Sequence, residues 1–215
     1  MIIKAFQGGY DKNFCYVVHC EKTNHAAIID PSVEINPVIE YLTMNDLVLD
    51  KIIISHTHGD HIFYLNDFIN IYPNIGVYGH SKPKQIFKNI NYHGLDNNEI
   101  FSIGDNIITA LETPGHYPDS ICYWSKNQKI VFTGDTIFVG RTGRVKSTGS
   151  DIKKLYESVY NILLKLPSDT VIYPGHNYGY CSTISIKENI NLSPFFQCKN
   201  LEEFIKVMDN FEENR

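Results

Sequence analysis

Phe14 to Val18 is an unbroken aromatic and β-branched run, and Ala26 to Ile29 is a second, closed by Asp30-Pro31. Runs of this length and type predict strands. Ser32 can cap a helix over about 33–45, with Val38, Ile39 and Leu42 on one face. Lys51-Ile52-Ile53-Ile54-Ser55 has the pattern of a buried strand. A helix is predicted over 62–71, ended by Pro73, then a strand from Ile75 to Tyr78 and a helical stretch at 81–89. Ile107 to Leu111, Ile121 to Trp124 and Ile130 to Phe132 predict three more strands. The plainest helix covers 151–166: Leu155, Val159, Ile162, Leu163 and Leu166 form its stripe, Ser150 can cap it and Pro167 follows it. A last strand from Thr170 to Tyr173 and two helices, about 184–190 and 200–211, complete the series. Strands with a few helices, then strands, then helices, fit an α/β fold of two sheets packed face to face with helices outside.

Composition narrows this only a little. A chain of 215 residues with 43% hydrophobic positions suits one domain with a sizeable core, here taken as 1–215 with a short helical tail from about 182. The formal net charge of −5 argues against nucleic acid or an anionic membrane as the main partner, because both need a basic footprint. The five cysteines, Cys15, Cys20, Cys122, Cys181 and Cys198, are odd in number and none lies in Cys-x-x-Cys spacing. Reduced thiols acting as small buried hydrophobes are expected, and with them a cytoplasmic location. The start of the chain has no basic segment followed by a long apolar run, so no signal peptide is read there.

The chemistry lies in Ser55-His56-Thr57-His58-Gly59-Asp60-His61, directly after the Lys51 to Ser55 strand. Imidazole nitrogens and carboxylate oxygens are ligands for zinc and iron. Alternation sends His56 and His58 to one side, where they can share an ion, while Asp60 and His61 can turn to a neighbouring position. Three further candidates follow apolar strands: His116 in Thr113-Pro114-Gly115-His116, Asp135 in Thr133-Gly134-Asp135-Thr136, and His176 in Tyr173-Pro174-Gly175-His176. Each has a glycine before it, which lets the backbone bend or approach closely. A merely His-rich surface loop does not account for four strand ends each delivering such groups. His19, His25, His80 and His93 have no ligand neighbours in sequence and are read as surface or packing residues.

His-x-His-x-Asp-His followed by single His, Asp and His positions, at separations of 55, 19 and 41 residues, resembles the metallo-β-lactamase superfamily. Within it the chain looks most similar to the glyoxalase II and persulfide dioxygenase branch. Asn13-Phe14-Cys15-Tyr16, Gly134-Asp135-Thr136-Ile137-Phe138 with Gly143-Arg144, and Tyr173-Pro174-Gly175-His176-Asn177-Tyr178 carry that likeness. The resemblance implies a four-layer αβ/βα sandwich with the metals at one edge. It implies that His56, His58 and His116 hold one ion, that Asp60, His61 and His176 hold a second, and that Asp135 bridges them. Two zinc ions are the implied cofactors, with iron as the alternative. Asp60 and Asp135 become the implied catalytic carboxylates, and Arg144 and Tyr178 the implied substrate-binding residues. Paired ions lower the pKa of water toward ~7, which supplies a nucleophile for hydrolysis.

The resemblance implies, as the first reading, a binuclear hydrolase of a thioester or related ester, with a small anionic thioester or thiol-derived substrate. An iron-dependent persulfide dioxygenase needs only one ion on a His56, His116 and Asp135 face. A metal-binding interaction module without catalysis is the third reading. The sequence departs from the branch in four places. Only 39 residues follow His176, which shortens the helical region that anchors glutathione in glyoxalase II. Arg141-Thr142-Gly143-Arg144-Val145-Lys146 lacks the Gly-Cys-Gly-Arg-Thr-Asp-Phe signature of persulfide dioxygenases. Tyr117 after His116 and Tyr64 near His61 replace the usual threonine and glycine, and both can reshape the approach to the site.

Overall fold

The computed structural model describes residues 1–214. Its first half forms one mixed sheet from β1 (Ile2–Gly8), β2 (Asn13–His19), β3 (His25–Ile29), β4 (Val48–Ile53), β5 (Gly76–His80) and β6 (Tyr92–Leu95), in that spatial order. Helix α1 (Ile35–Met44) connects β3 to β4, and α2 (Leu65–Ile71) connects β4 to β5. From β3 to β6 the strands are parallel, as helical crossovers require. The second sheet contains β7 (Ile100–Ile103), β8 (Asn106–Glu112), β9 (Ile121–Ser125) and β10 (Ile130–Gly134). A small hairpin of β11 (Ile137–Phe138) and β12 (Arg141–Thr142) follows, then α3 (Ile152–Glu157). β13 (Val171–Pro174) joins this sheet parallel to β10, and β14 (Ile184–Ser185) forms its edge. Helices α4 (Ile186–Leu192) and α5 (Leu201–Glu213) complete the chain.

Residue alternation explains the layers. On β2, Phe14, Tyr16 and Val18 face the second sheet and pack with Tyr123 and Phe132, whereas Cys15 and Val17 face α1 and α2 with Val38, Leu42 and Phe68. A strand covered on both faces has no solvent side, so all seven residues of β2 are buried. The outer face of the second sheet packs Val131, Ile172 and Cys122 against Leu155, Val159, Phe204 and Met208 of the later helices. The result is the four-layer helix–sheet–sheet–helix sandwich implied by the resemblance.

Two buried tyrosines cross between the sheets at the end where the ligand loops begin. Tyr16 Oη donates to Pro174 O at 2.7 Å, and Tyr123 Oη donates to Ile54 O at 2.6 Å. Phe14 N donates to Gly175 O at 2.7 Å, and Asn13 forms a bridge with His176. The start of β2 is thus tied to the end of β13.

Several local expectations differ from the structure. Ser32 does not cap α1; its Oγ donates to Phe14 O instead, and Glu34 stands at the N-cap without a side-chain bond. Helix α2 begins at Leu65 rather than 62, because the residues before it complete the ligand loop and Tyr64 N donates to Pro31 O. Asp151, not Ser150, caps α3, accepting from Lys153 N and Lys154 N. The helical path of 152–165 runs through a π turn at Ser158–Ile162 and a 3-10 turn at Leu163–Lys165, with Leu155, Val159 and Leu163 fully buried as expected. The stretch at 81–89 holds only a 3-10 turn, Lys82–Gln85. Strands β1, β6, β7, β11, β12 and β14 lie outside the predicted set, and β14 takes the first two residues of the helix expected over 184–190, which starts at Ile186 behind its Ser185 cap. All five cysteines are free thiols. Among the described residues no helix is long and apolar enough to cross a membrane.

Candidate metal centre

The loop after β4 delivers four side chains, and the ends of β8, β10 and β13 deliver one each to the same edge. His56 Nε2 lies 2.9 Å from His58 Nδ1, and His116 Nε2 lies 3.0 Å from that same atom. His61 Nε2 and His176 Nε2 are 3.1 Å apart. Asp135 stands between the groups, with Oδ1 at 3.1 Å from His61 Nε2 and Oδ2 at 3.5 Å from His116 Nε2 and 3.3 Å from His176 Nε2. Asp60 Oδ2 is 3.4 Å from His176 Nε2. All seven sequence candidates for the metal site therefore meet. Three overlapping triplets have ligand atoms within 4.8 Å of one another: His56, His58 and His116; His56, His61 and Asp135; and Asp60, His61 and His176.

The outer ring nitrogens show which way the lone pairs point. His61 Nδ1 donates to Asp30 Oδ2 at 2.8 Å. His116 Nδ1 donates to Arg144 O at 2.7 Å, and His176 Nδ1 donates to Asp11 O at 2.8 Å. Ser55 Oγ spends its proton on Asp30 Oδ2 at 2.6 Å, so at 3.1 Å it accepts from His56 Nδ1. An acceptor on the outer nitrogen fixes the neutral tautomer whose Nε2 lone pair faces inward. Four such lone pairs converge with two carboxylates, and Asp135 Oδ1 is buried without a well-oriented hydrogen bond. Converging acceptors of this kind fit a cation, which would take the place of any proton held by the cluster.

Electrostatics divides the cluster. Burial, together with neighbouring imidazoles, holds His56 and His116 below the usual histidine value and takes His58 down to about 4. Burial opposes charge on His61 and His176 as well, but Asp135 outweighs it and raises both, with Asp30 adding to His61. Asp135 stays well below the ordinary carboxylate range: burial works against it, and the His61 and His176 charges prevail. Without a cation, protons on His61 and His176 supply the positive charge that the carboxylates demand.

Two glycines make this approach possible. A Cβ on Gly175 would stand 2.5 Å from Asp135 Oδ1 and 2.7 Å from His61 Cε1. Gly134 has φ +46°, and a Cβ there would meet Ser55 Oγ at 2.5 Å. The His116 loop is fixed from α3, where Asp151 N donates to Gly115 O at 2.8 Å and Ser158 Oγ donates to Pro114 O at 2.7 Å.

The sequence reading passed over Asp30. It is 2% exposed and accepts from Ser55 N, Ser55 Oγ and His61 Nδ1. Asn13, quoted only for its resemblance, donates from Nδ2 to Asp60 Oδ2 at 2.8 Å. Arg144 sits beside the cluster through its carbonyl, while its Nε donates to Glu212 Oε1 of α5 at 2.9 Å. Lys146 pairs with the same carboxylate at 2.7 Å. Tyr178 stacks on His176, centroids 4.8 Å apart and planes 6° apart, and its Oη donates to Asp11 Oδ2 at 2.6 Å. His25 pairs with Asp50, His93 stacks on Tyr78, His19 contacts Tyr41, and buried His80 lies 3.7 Å from Glu112, all apart from this cluster.

A two-sheet sandwich whose strand ends gather imidazoles and carboxylates at one edge is the architecture of a metal-dependent enzyme. The sequence matches the description "Metallo-beta-lactamase superfamily" over residues 8–176, and the chain belongs to that superfamily. It is 37% identical over 205 residues to a probable hydroxyacylglutathione hydrolase of Schizosaccharomyces pombe, covering 90% of this chain and 77% of that protein. It is 33% identical to a hydroxyacylglutathione hydrolase of Francisella tularensis subsp. novicida, covering 78% of this chain but only 64% of that protein's length. The solved structure of ETHE1 from Myxococcus xanthus superposes with a TM-score of 0.85 at 29% identity, covering 98% of this chain and 91% of the other.

Proposed function

We propose that this protein hydrolyses thioesters of an anionic thiol, with glutathione thioesters as the first class to test. The chain is a metallo-hydrolase of its superfamily, and relatives named hydroxyacylglutathione hydrolases support the substrate class. The observation that carries the reading is the set of inward Nε2 lone pairs meeting Asp135, because that set has no use in a merely structural core. His56, His58 and His116 would hold one ion, and Asp60, His61 and His176 another, with Asp135 shared. Zinc suits this nitrogen and oxygen set, and iron is accepted by the same ligands. When bound, such ions polarise a carbonyl and lower the pKa of water toward ~7.

The chain's own residues supply the rest. Asp60 is kept anionic by His61 and by the Asn13 amide against the cost of burial, so it can orient the attacking water through its free oxygen. Arg144 and Lys146 both pair with Glu212, and Arg144, 42% exposed and joined to His116 through its carbonyl, is the cation beside the cluster for the anionic part of the substrate. Tyr178 backs His176 through its ring and completes that side of the site.

The likeness to ETHE1 favours a second reading, an iron-dependent persulfide dioxygenase on the His56, His116 and Asp135 face. Metal content of protein purified without chelators, measured with hydroxyacylglutathione hydrolysis and with oxygen uptake on glutathione persulfide, separates the two. Two metals per chain and thioester cleavage support the hydrolase. Oxygen uptake with one iron and no cleavage replaces it by the dioxygenase.

A further inference from the structure

A cavity of about 440 Å³ opens beside Asp60, the one residue it shares with the metal cluster. Its walls come from the β1–β2 turn, the segment before α1, and Phe63 and Tyr64. Phe63 is 70% exposed and Tyr10 is 94% exposed, and both rim this same opening. Phe63 and Tyr64 form an edge-to-face pair with centroids 5.0 Å apart. Tyr64 N is fixed to Pro31 O at 3.0 Å, so the aromatic wall stands on the scaffold that carries Asp30. Single exposed aromatics are ordinary, but two on the rim of one cavity beside a reaction centre are the lining of a ligand site.

Charge determines which end of a substrate fits. Among the described residues, the charged ones lining the cavity are Glu34 and Asp60, both acidic. The cations near the cluster lie outside this lining: Arg144 is bonded through its carbonyl to His116, Lys146 shares Glu212 with it, and Arg141 lies over the Tyr178 ring at 3.9 Å. An anionic thiol therefore finds no counter-ion within the cavity and finds one outside it, at Arg144. A thioester spanning the cluster must place its thiol part toward Arg144 and its acyl part toward Phe63. The cavity volume lies within the range of small-molecule sites and far exceeds what a two- or three-carbon acyl group fills.

We propose that the cavity lined by Val33, Phe63 and Tyr64 is an acyl pocket, and that it makes this enzyme selective for thioesters with medium-length apolar acyl groups. This rests on the thioester reading above, so the test includes a measurement that needs no turnover. The first arm compares kcat/KM for acetyl, butanoyl and hexanoyl thioesters of glutathione. Each methylene buried in the pocket should raise kcat/KM about two- to fourfold. The second arm measures binding of S-methyl- and S-hexylglutathione, which cannot be hydrolysed, by calorimetry. Hexyl should bind at least about tenfold more tightly than methyl. Phe63→Ala and Phe63→Asp should each shrink both ratios to about threefold or less, whereas Ile100→Ala, on an exposed position of β7, should keep the wild-type ratios. Cleavage of all three thioesters at equal efficiency overturns the pocket and leaves the hydrolase intact. Chain-length-dependent thioether binding that Phe63→Ala abolishes, with no thioester cleaved, supports the pocket and rejects the hydrolase. Equal binding of the methyl and hexyl thioethers overturns the pocket whatever the activity.

Discussion

His61 donates its Nδ1 proton to Asp30 at 2.8 Å, across 31 residues of chain and between two fully enclosed side chains. Asp30 has φ +52° and also receives Ser55 N at 2.7 Å and Ser55 Oγ at 2.6 Å. One carboxylate thereby sets the tautomer of His61 directly and that of His56 through Ser55. Asp30→Asn is a sharp test, because asparagine tolerates a positive φ and keeps the shape while removing the charge and one acceptor. Metal affinity, read by chelator competition, should fall about 10- to 100-fold, the usual cost of losing such a supporting carboxylate. Unchanged affinity would show that Asp30 serves the fold alone.

Tyr123 links packing to the site by a different route. Its hydroxyl is fully buried and donates to Ile54 O, two residues before His56. Tyr123→Phe should cost about 1–2 kcal/mol for the lost hydrogen bond. For a chain of this size that lowers Tm by roughly 2–8 °C. The metal-loaded protein should still bind its ions, since no ligand is touched. A Tm unchanged within error refutes the structural role given to this hydroxyl.

The pH response of the metal-free protein follows from the two classes of histidine. His56, His58 and His116 are held below the usual value, His58 at about 4 and chiefly by burial. The unfolded chain takes up these protons near pH 6.5, before the folded chain does, so stability drops as pH falls from about 6.5 toward 4. His61 and His176 are raised by Asp135. Their contribution is complete below about 6.5 and is lost only as pH rises through their folded values. Acidification within that window therefore gives no compensating gain from them. Thermal melts of the metal-free protein between pH 7 and 4 should show falling Tm, and metal uptake at neutral pH should release protons. A Tm that climbs on acidification contradicts the burial of neutral imidazoles.

The part of this legible in sequence was the part written in local spacing. His56, His58, Asp60 and His61 follow an apolar strand, and Gly115, Gly134 and Gly175 mark the other strand ends. Edge strand β1 alternates weakly, with Lys4 and Gln7 exposed, and so lacks a strand's apolar signal. Asp30 carries no motif, and its left-handed backbone and buried partners exist only after folding. The ligand reading missed Ser55 for the same reason: its hydroxyl matters only because Asp30 lies opposite. The side chain of Arg144 was out of reach in a third way, since Glu212 lies 68 residues further along the chain.

That pairing yields the last prediction. Arg144 and Lys146 both reach Glu212, at 2.9 Å and 2.7 Å, and the two cations pull the carboxyl below its ordinary value against burial. Glu212 is mostly covered while Arg144 is 42% exposed, so the guanidinium is the accessible partner. Half-exposed pairs of this kind are worth about 1 kcal/mol or less, and breaking one leaves the fold standing. If Arg144 grips the anionic part of the substrate, Glu212 competes for it. Arg144→Ala should raise KM for an anionic thioester at least about fivefold, since a charge-assisted hydrogen bond is lost, and should change KM for a neutral S-acyl alkylthiol much less. Glu212→Gln should move KM for the anionic substrate the other way, downward, because it removes the competing charge while keeping the side chain's shape. Salt should weaken binding of the anion in wild type more than in Arg144→Ala. Equal effects of Arg144→Ala on both substrates reject it as the anchor. A higher KM in Glu212→Gln would instead mean that Glu212 holds Arg144 in its working position, and steady-state kinetics on the single and double variants distinguishes these outcomes.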